Sequence, residues 1–247
     1  MEKIAITGAT GNYGYAVLEA LIKKGVDKKS IYAIARDKIK AKLLVALGVN
    51  VVLGDYNDYQ SMINAFSGID KLLFVSSGEM KNRAIQHKQV VKAAKKAGVK
   101  HILYTSQIHE TDDPKSPMKF VMKSHLVTEI TIIKSGMFYT ILRNGLYLDM
   151  LPLFLGKNVI ENGIYLPAGN GKIAFTLRNE MAEVAANILN SEGHKNKIYD
   201  VSGKGISFLE IAAMIYHITN KNITYVSPDI ETFIKTAIGS GIPKEYA

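Results

Sequence analysis

The hydrophobic positions of the first 146 residues form short apolar runs separated by longer segments with helical spacing. Runs of about five apolar residues read as strands at 3–6, 31–35, 49–53, 71–75, 101–105 and 138–142. The intervening segments read as helices at 15–24, 38–47, 58–66, 80–97 and 118–134. Because strands and helices alternate and the strands are apolar throughout, the pattern predicts a parallel sheet with helices on both faces. The expected fold class is α/β, a doubly wound Rossmann sheet.

The alternation loosens after about residue 146. Turn residues become frequent, and weaker patterns predict a helix at 181–189 and strands at 197–201 and 223–226. Ser207 and Glu210 have capping-box spacing and open a helix to about Thr219; a last helix is expected at 230–238. The sequence therefore predicts a Rossmann domain over 1–146, followed without interruption by a smaller substrate-covering α/β lobe over 147–247.

Composition narrows the function classes. The chain has 247 residues, 47% of them hydrophobic, and no apolar run approaches the roughly 20 residues that span a membrane. It has no cysteine, and its histidines lack metal-ligand spacing. The net charge of +9 comes from lysines spread along the chain, which favours a solvated surface over a nucleic-acid partner. We expect a cytoplasmic monomer or homodimer without metal, membrane or nucleic acid.

Three glycines follow the first strand at intervals of three residues: Gly8, Gly11 and Gly14. Gly8 lets the chain turn sharply, Gly11 lets a pyrophosphate approach the backbone, and Gly14 lets the next helix pack against the strand. The first helical turn then offers its N–H groups and dipole to the phosphates. The predicted cofactor-binding turn comprises Gly8, Ala9, Thr10, Gly11, Asn12, Tyr13 and Gly14.

Ligands of a parallel sheet bind beyond the carboxyl ends of its strands. Arg36 ends the second strand, about twenty residues past the turn, and suits the 2′-phosphate of NADPH. The alternatives are that Arg36 is a surface charge while Asp37 caps the next helix, or that Asp37 turns inward and the cofactor is NADH. Asp55 would accept from the adenine amino group or serve as an ordinary turn residue. Further cofactor contacts are predicted at the ends of later strands: Ser76, Ser77, Gly78, Ser106, Leu142, Arg143, Asn144 and Gly145.

These residues carry a family resemblance. The turn Thr7 to Gly14, Arg36, the Gln86-His87 pair, Tyr139 to Gly145 and Gly169 to Ala174 resemble the NmrA-like group of atypical short-chain dehydrogenases. Within that group the chain is most similar to the quinone oxidoreductase 2 and triphenylmethane reductase branch. The resemblance covers essentially the whole chain. It also implies relatives that continue beyond Ala247 with a segment that helps cover the pocket.

The resemblance implies hydride transfer from NADPH to a small aromatic acceptor such as a quinone. It implies catalytic or substrate-lining roles for Tyr139 and Asn144, and substrate contacts by Gln86 and His87. Tyr147, just after the sixth strand, would stack on a quinone or pack in the core. His87 would face the crevice or be a packed histidine.

One departure from most short-chain dehydrogenases concerns proton transfer. Where a Tyr-x-x-x-Lys pair is expected, the sequence has Val121, Met122, Lys123, Ser124 and His125. His125 would then be a proton donor or a structural histidine. Quinone reduction tolerates the loss, because the product oxyanion is delocalised and water supplies the proton. The alternative is a non-enzymatic NADP sensor of the NmrA-like type, and a basic nucleic-acid-binding module is a third hypothesis.

Overall fold

The computed structural model describes residues 2–79, 81–108 and 119–241. Met80, where a predicted helix begins, and most of the predicted polar loop lie outside these residues, as do the last six residues. The strands are β1 (Ile4–Ile6), β2 (Ile31–Ala35), β3 (Asn50–Leu53), β4 (Lys71–Phe74), β5 (His101–Gln107), β6 (Phe138–Asn144), β7 (Leu146–Tyr147), β8 (Ile164–Tyr165), β9 (Lys172–Ile173), β10 (Phe175–Thr176), β11 (Lys197–Val201), β12 (Ile206–Ser207) and β13 (Tyr225–Val226).

The helices fill most of the gaps between strands. They are α1 (Asn12–Lys23), α2 (Lys38–Val45), α3 (Tyr59–Ala65), α4 (Arg83–Ala97), α5 (Lys119–Ile133), α6 (Leu151–Leu155), α7 (Val159–Asn162), α8 (Arg178–Leu189), α9 (Phe208–Thr219) and α10 (Ile230–Gly239). Two short 3₁₀ turns cover Lys28–Ser30 and Leu148–Met150.

The main sheet has seven strands in the order β11-β6-β5-β4-β1-β2-β3, and every neighbouring pair is parallel. The order reverses at β1, which starts in the middle of the sheet and has β2 on one side and β4 on the other. This arrangement confirms the doubly wound α/β fold predicted from the alternation. The crevice at the reversal is where such sheets bind ligands.

Helices cover both faces of this sheet. On one face α3, α4 and α5 bury a continuous core around Phe66, Phe74, Tyr104 and Ile141. On the other face α8 packs against α1, and the Tyr13 hydroxyl donates to the Met181 carbonyl at 3.2 Å. With both faces buried, the strands carry apolar side chains in both directions, which explains their unbroken apolar runs.

The chain divides into two compact units, and the division differs from the expected contiguous halves. The first unit is Met1–Gly145 with Arg178–Val201, and the second is Leu146–Leu177 with Ser202–Ala247. The first segment of the first unit ends at Gly145, and the chain returns to that unit for α8 and β11. The reason is that β11 pairs with β6 along its whole length and extends the main sheet.

The second unit has its own small core. Phe175, Phe208 and Ile211 are among its buried residues, and three two-stranded pairs, β7–β10, β9–β12 and β8–β13, connect its segments. The predicted capping box opens α9: Ser207 accepts from the Glu210 amide and Glu210 accepts from the Ser207 amide. This unit is α/β, as expected for the lobe.

Candidate functional site

The glycine turn has the geometry that its spacing predicts. Gly8 has a φ of +59°, a left-handed conformation that favours glycine. The Gly11 amide donates to the Gly8 carbonyl at 2.9 Å and closes the turn. A Cβ on Gly14 would lie 2.4 Å from the Gly8 carbonyl oxygen, so only glycine permits this approach of α1 to β1.

The N-terminus of α1 has no side-chain cap, as is also true of α4, α6 and α7 but not of the other helices whose caps are described. The N-cap residues of α2, α3, α9 and α10 are Asp37, Asp58, Ser207 and Asp229, and each accepts from a first-turn amide. The N-cap of α1 is Gly11, which has no side chain, and its first turn has no acidic residue. This helix end therefore combines a positive dipole end with room for an anion.

A crevice of about 500 Å³ runs past this turn along the carboxyl ends of β1 to β4. Its lining is drawn from the loops after β1 to β4, the last two residues of β2, and one residue each of α2 and α4: Gly8, Thr10, Ile34, Ala35, Arg36, Asp37, Lys40, Gly54, Asp55, Tyr56, Val75, Ser76, Ser77, Gly78, Glu79 and Gln86. The structure therefore brings Gly8, Thr10, Arg36, Asp55 and residues 76–78 together, as the strand-end argument expects.

Two exposed cations, Arg36 and Lys40, line the crevice beside the end of β2. Among the described residues, no ion pair or hydrogen bond engages either side chain. Asp37 lies between them but accepts from the Ile39 and Lys40 amides at 2.7 and 3.3 Å. These amides hold the pKa of the Asp37 carboxyl below its usual range. Asp37 is thus a helix cap, as one of the alternatives had it, while Arg36 remains available for an anion.

Asp55 and Tyr56 form the wall after β3. Asp55 accepts from the Asn57 backbone and side-chain nitrogens at 2.9 and 3.3 Å through one oxygen. The Tyr56 hydroxyl contacts Thr7 Oγ1 at 2.5 Å and donates to the Val75 carbonyl at 2.7 Å. Burial raises the pKa of Tyr56. Tyr56 is therefore a structural link between two loops rather than a proton donor.

The segment 75–79, after β4, is bonded inward through its backbone amides. Val75 donates to Thr7 Oγ1 at 2.9 Å, Ser76 to Thr105 Oγ1 at 2.8 Å, and Ser77 to His87 Nε2 at 2.9 Å. The Glu79 amide donates to Ser77 Oγ at 3.0 Å. Side chains from three elements therefore hold this segment against the sheet.

Gln86 and His87 hold the segment 75–79 by hydrogen bonds, and the substrate contacts expected of them from the resemblance stay a prediction. Gln86 is 5% exposed; it accepts from Ser77 Oγ at 2.8 Å and donates to Asn57 Oδ1 at 3.0 Å. His87 is fully buried. Burial and the nearby Arg83 and His125 lower its pKa to about 3, so the imidazole is neutral. His87 is the packed histidine of the two alternatives.

His125 is also a buried, structural residue. It is 3% exposed, its Nε2 accepts from the Arg83 guanidinium at 2.8 Å, and its Nδ1 bonds the Tyr104 hydroxyl at 2.8 Å. Because arginine only donates, Nε2 carries no proton while this bond is made. Both ring nitrogens are engaged inside the protein, which favours the structural histidine of the two alternatives; the role as proton donor stays a prediction.

A second buried group joins the ends of β5, α5 and β6. Ser106 Oγ donates to Glu129 Oε1 at 2.5 Å, and Arg143 forms a bidentate pair with Glu129 at 3.2 and 2.7 Å. This pairing raises the pKa of Arg143. The Ser106 hydroxyl and much of the Arg143 fork are therefore occupied by Glu129, a partner that the sequence pattern did not single out.

The remaining predicted residues fall at different depths. Leu142 is fully buried, and the Gly145 amide donates to the Val201 carbonyl at 2.9 Å. Asn144 is 3% exposed, and neither atom of its side-chain amide has a hydrogen-bond partner among the described residues. Its predicted catalytic role stays a prediction.

Tyr139 lies far from the strand ends. It is the second residue of β6 and pairs with Ile102, which in turn pairs with Leu72 of β4. The carboxyl end of β6 is five residues further on, about 16 Å along the strand. The topology therefore places Tyr139 toward the amino edge of the sheet, contrary to the expected substrate contact. Tyr147 is the last residue of β7 in the second unit.

The lining residues fit a phosphorylated dinucleotide. Three features support this fit: the close packing of Gly14 on Gly8, the N-terminus of α1 without a side-chain cap, and two cations beside the end of β2 that have no partner among the described residues. No group of acidic, histidine or cysteine side chains that would hold a metal occurs within the described residues. In the same part of the chain, no helix has the length and apolar character needed to cross a membrane.

Sequence reasoning missed Lys40. Its only signal was its position in the first turn of the predicted helix that follows Arg36. Glu129 and Thr105 carried no comparable signal, because their roles depend on which strand lies next to which.

Comparisons with known proteins agree with this site. The NmrA-like family model matches residues 1–247. The chain is 38% identical to quinone oxidoreductase 2 of Escherichia coli over 246 residues, which cover 99% of this chain and 84% of that protein.

Two solved structures extend the likeness to three dimensions. Triphenylmethane reductase of Citrobacter sp., complexed with NADP(H), has a TM-score of 0.87 and 35% identity, covering 99% of this chain and 85% of that one. The NADPH-dependent quinone oxidoreductase of Escherichia coli, complexed with NADPH, has a TM-score of 0.85 and 37% identity, covering 98% and 84%. The chain therefore belongs to the NmrA-like family.

Proposed function

We propose that the protein is an NADPH-dependent oxidoreductase that reduces a quinone or a similar conjugated aromatic acceptor. Family membership supports the reaction class, since the similar proteins are a quinone oxidoreductase and a dye reductase whose solved structures contain NADP(H) or NADPH. The overall balance is quinone plus NADPH plus a proton, giving hydroquinone and NADP⁺.

The observation that carries the cofactor assignment is the pair of exposed cations, Arg36 and Lys40, at the end of β2. A guanidinium and an ammonium on one side of the crevice suit the two negative charges of a 2′-phosphate. The uncapped N-terminus of α1 lies after the adjacent strand β1 and would receive the pyrophosphate. The engaged carboxylate of Asp37 disfavours the alternative in which it accepts from a free ribose hydroxyl.

When bound, the cofactor supplies the hydride from its nicotinamide ring. The protein's part would be orientation, because three side chains that could donate a proton near the strand ends are occupied. The hydroxyls of Tyr56 and Ser106 and the ring nitrogens of His125 are all engaged in internal hydrogen bonds. A quinone tolerates this, since the reduced oxygens share charge with the ring and solvent protonates them.

Steady-state NADPH oxidation with a simple quinone such as menadione tests the proposal, with cofactor binding measured separately on the same preparation. We expect turnover well above the rate without protein. Tight NADPH binding without turnover of menadione, a benzoquinone or a triphenylmethane dye would reject the reductase assignment.

The occupied polar groups also favour one second candidate, a non-enzymatic NADP sensor. The two candidates differ in redox preference as well as in turnover. A sensor would bind NADP⁺ at least as tightly as NADPH and would reduce none of these acceptors. The same binding and turnover measurements therefore separate the two candidates.

A further inference from the structure

The segment 75–79 offers unengaged acceptors to a ligand. Its amides at Val75, Ser76, Ser77 and Glu79 are donated to internal partners. Among the described residues, no hydrogen bond engages the carbonyl oxygens of Ser76 and Ser77 or the Ser76 hydroxyl. Carbonyl oxygens held in this way suit the hydroxyl groups of a ligand, which donate.

The state of this segment depends on which nitrogen of His87 carries the proton. The Thr128 hydroxyl donates to the Ser124 carbonyl at 2.7 Å, so it accepts from His87 Nδ1 at 2.9 Å. Nδ1 therefore carries the proton, and Nε2 is the acceptor that takes the Ser77 amide. Groups on the neighbouring elements maintain this arrangement: Tyr104 of β5 lies 3.3 Å from Nδ1, and Arg83 and His125 are close by.

Strand order tells which part of a dinucleotide would reach this segment. The cations at the end of β2 lie on one side of β1, and the segment 75–79 follows β4 on the other side. A dinucleotide with its 2′-phosphate at Arg36 and its pyrophosphate at α1 extends toward β4. The sugar beyond the pyrophosphate is the nicotinamide ribose, whose hydroxyls are donors.

We propose that His87 and Gln86 are positioning residues that hold the segment 75–79 as a hydrogen-bond acceptor for the nicotinamide ribose. His87 fixes the Ser77 amide, and Gln86 fixes the Ser77 hydroxyl and links it to Asn57. Neither residue touches the reacting atoms. This inference rests on the proposed NADPH binding and adds which side chains orient the reactive half of the cofactor.

The test compares two ligands that share the 2′-phosphoadenosine half: NADPH and adenosine 2′,5′-bisphosphate, which lacks the nicotinamide ribose. Dissociation constants are measured by calorimetry for wild type, His87→Leu and His87→Gln. Leucine removes the acceptor, whereas the glutamine oxygen can replace Nε2. We expect His87→Leu to weaken NADPH about tenfold and the bisphosphate less than about twofold, with His87→Gln close to wild type.

His101→Gln is the matched control. His101 is buried and bonded to Thr140 at 2.8 Å, much as His87 is bonded to Thr128, but it begins β5 at the amino edge of the sheet. We expect no change in either affinity. If His87→Leu does not fold, Ser77→Ala replaces it, since it removes the hydroxyl that Gln86 holds without disturbing the core; about a threefold loss specific to NADPH is then expected.

Equal losses for both ligands, no loss in either, or a loss in His87→Gln as large as in His87→Leu would each overturn the inference. The outcomes also separate it from the proposed function. Wild type that binds NADPH but reduces no quinone leaves the positioning role in place and rejects only the reductase. Wild type that binds the bisphosphate no more weakly than NADPH rejects the contact beyond the pyrophosphate.

Discussion

The two sides of the glycine turn bind ligand atoms by different means. On the β2 side, Arg36 and Lys40 are exposed, and the described residues offer neither of them a partner. On the β4 side, three consecutive backbone amides of the segment 75–79 are held by Thr7, Thr105 and His87. Unpaired cationic side chains suit a ligand group that carries a strong negative charge. A backbone segment that is already held in place suits neutral hydroxyl groups, whose hydrogen bonds to the protein must compete with hydrogen bonds to water.

The glycine turn separates these two sides, and breaking it should have the largest effect. Gly14→Ala puts a Cβ 2.4 Å from the Gly8 carbonyl oxygen, so α1 must move away from β1. We expect a loss of about 3 kcal/mol in the free energy of unfolding and no measurable NADPH binding. Urea denaturation and calorimetry measure the two effects.

Gly239→Ala is the control for Gly14→Ala. Gly239 also lies in a helix, its φ is not positive, and nothing lies within 4 Å of its virtual Cβ. Stability should stay within about 0.5 kcal/mol of wild type or rise. Equal tolerance at both positions would contradict the packing argument for the turn.

Acid should weaken the β4 side and leave the charges of the β2 side unchanged. Burial lowers the pKa of His87 to about 3 and that of His101 to about 4, below the unfolded value of 6.5. The unfolded chain thus binds more protons than the folded one, and stability falls as pH drops below 6.5. At pH 5 each histidine should cost about 2 kcal/mol.

Urea midpoints at pH 7 and pH 5 measure this loss, because the unfolded carboxylates titrate mainly below that window. His87→Gln and His101→Gln should each reduce the difference in the free energy of unfolding between the two pH values by about 2 kcal/mol. A pH-independent midpoint between 7 and 5 would contradict the neutral buried histidines.

Asp37→Asn should have the smallest effect on cofactor choice. Asp37 caps α2 through Oδ1, which accepts from the Ile39 and Lys40 amides. Asparagine can accept the same bonds. The ratio of NADPH to NADH affinity should therefore change less than about twofold, and a large shift in favour of either nucleotide would assign Asp37 to the ribose.

The comparison also explains what the sequence could predict. The turn at Gly8 to Gly14 and the charge at Arg36 were predictable because both lie in one continuous strand-helix-strand unit, β1-α1-β2 and the residue after it. The roles of His87, His125 and Tyr139 were not, because they depend on contacts between distant strands. The sequence motif from Tyr139 to Gly145 placed Tyr139 near the substrate. The register of β6 against β5 instead places Tyr139 toward the amino edge of the sheet, opposite the edge where ligands bind.

The lobe that was expected over 147–247 shows the same limit. The strand at 197–201 was predicted from its pattern, but its partner, β6, lies more than fifty residues earlier. Nothing in the local pattern indicates that pairing, so the expected lobe included a segment that belongs to the main sheet. Local sequence patterns predicted the helices and strands well. They predicted which strands pair only where two consecutive strands are joined by a simple crossover.

The most direct test of the account is a titration of wild type, Arg36→Ala and Lys40→Ala with NADPH and NADH. We expect wild type to prefer NADPH, and Arg36→Ala to weaken NADPH about 10- to 100-fold while changing NADH less than about twofold. Lys40→Ala should show the same selectivity with a smaller loss. Equal wild-type affinities for the two nucleotides, or equal losses for both in Arg36→Ala, would contradict the assignment of the β2 side to the 2′-phosphate.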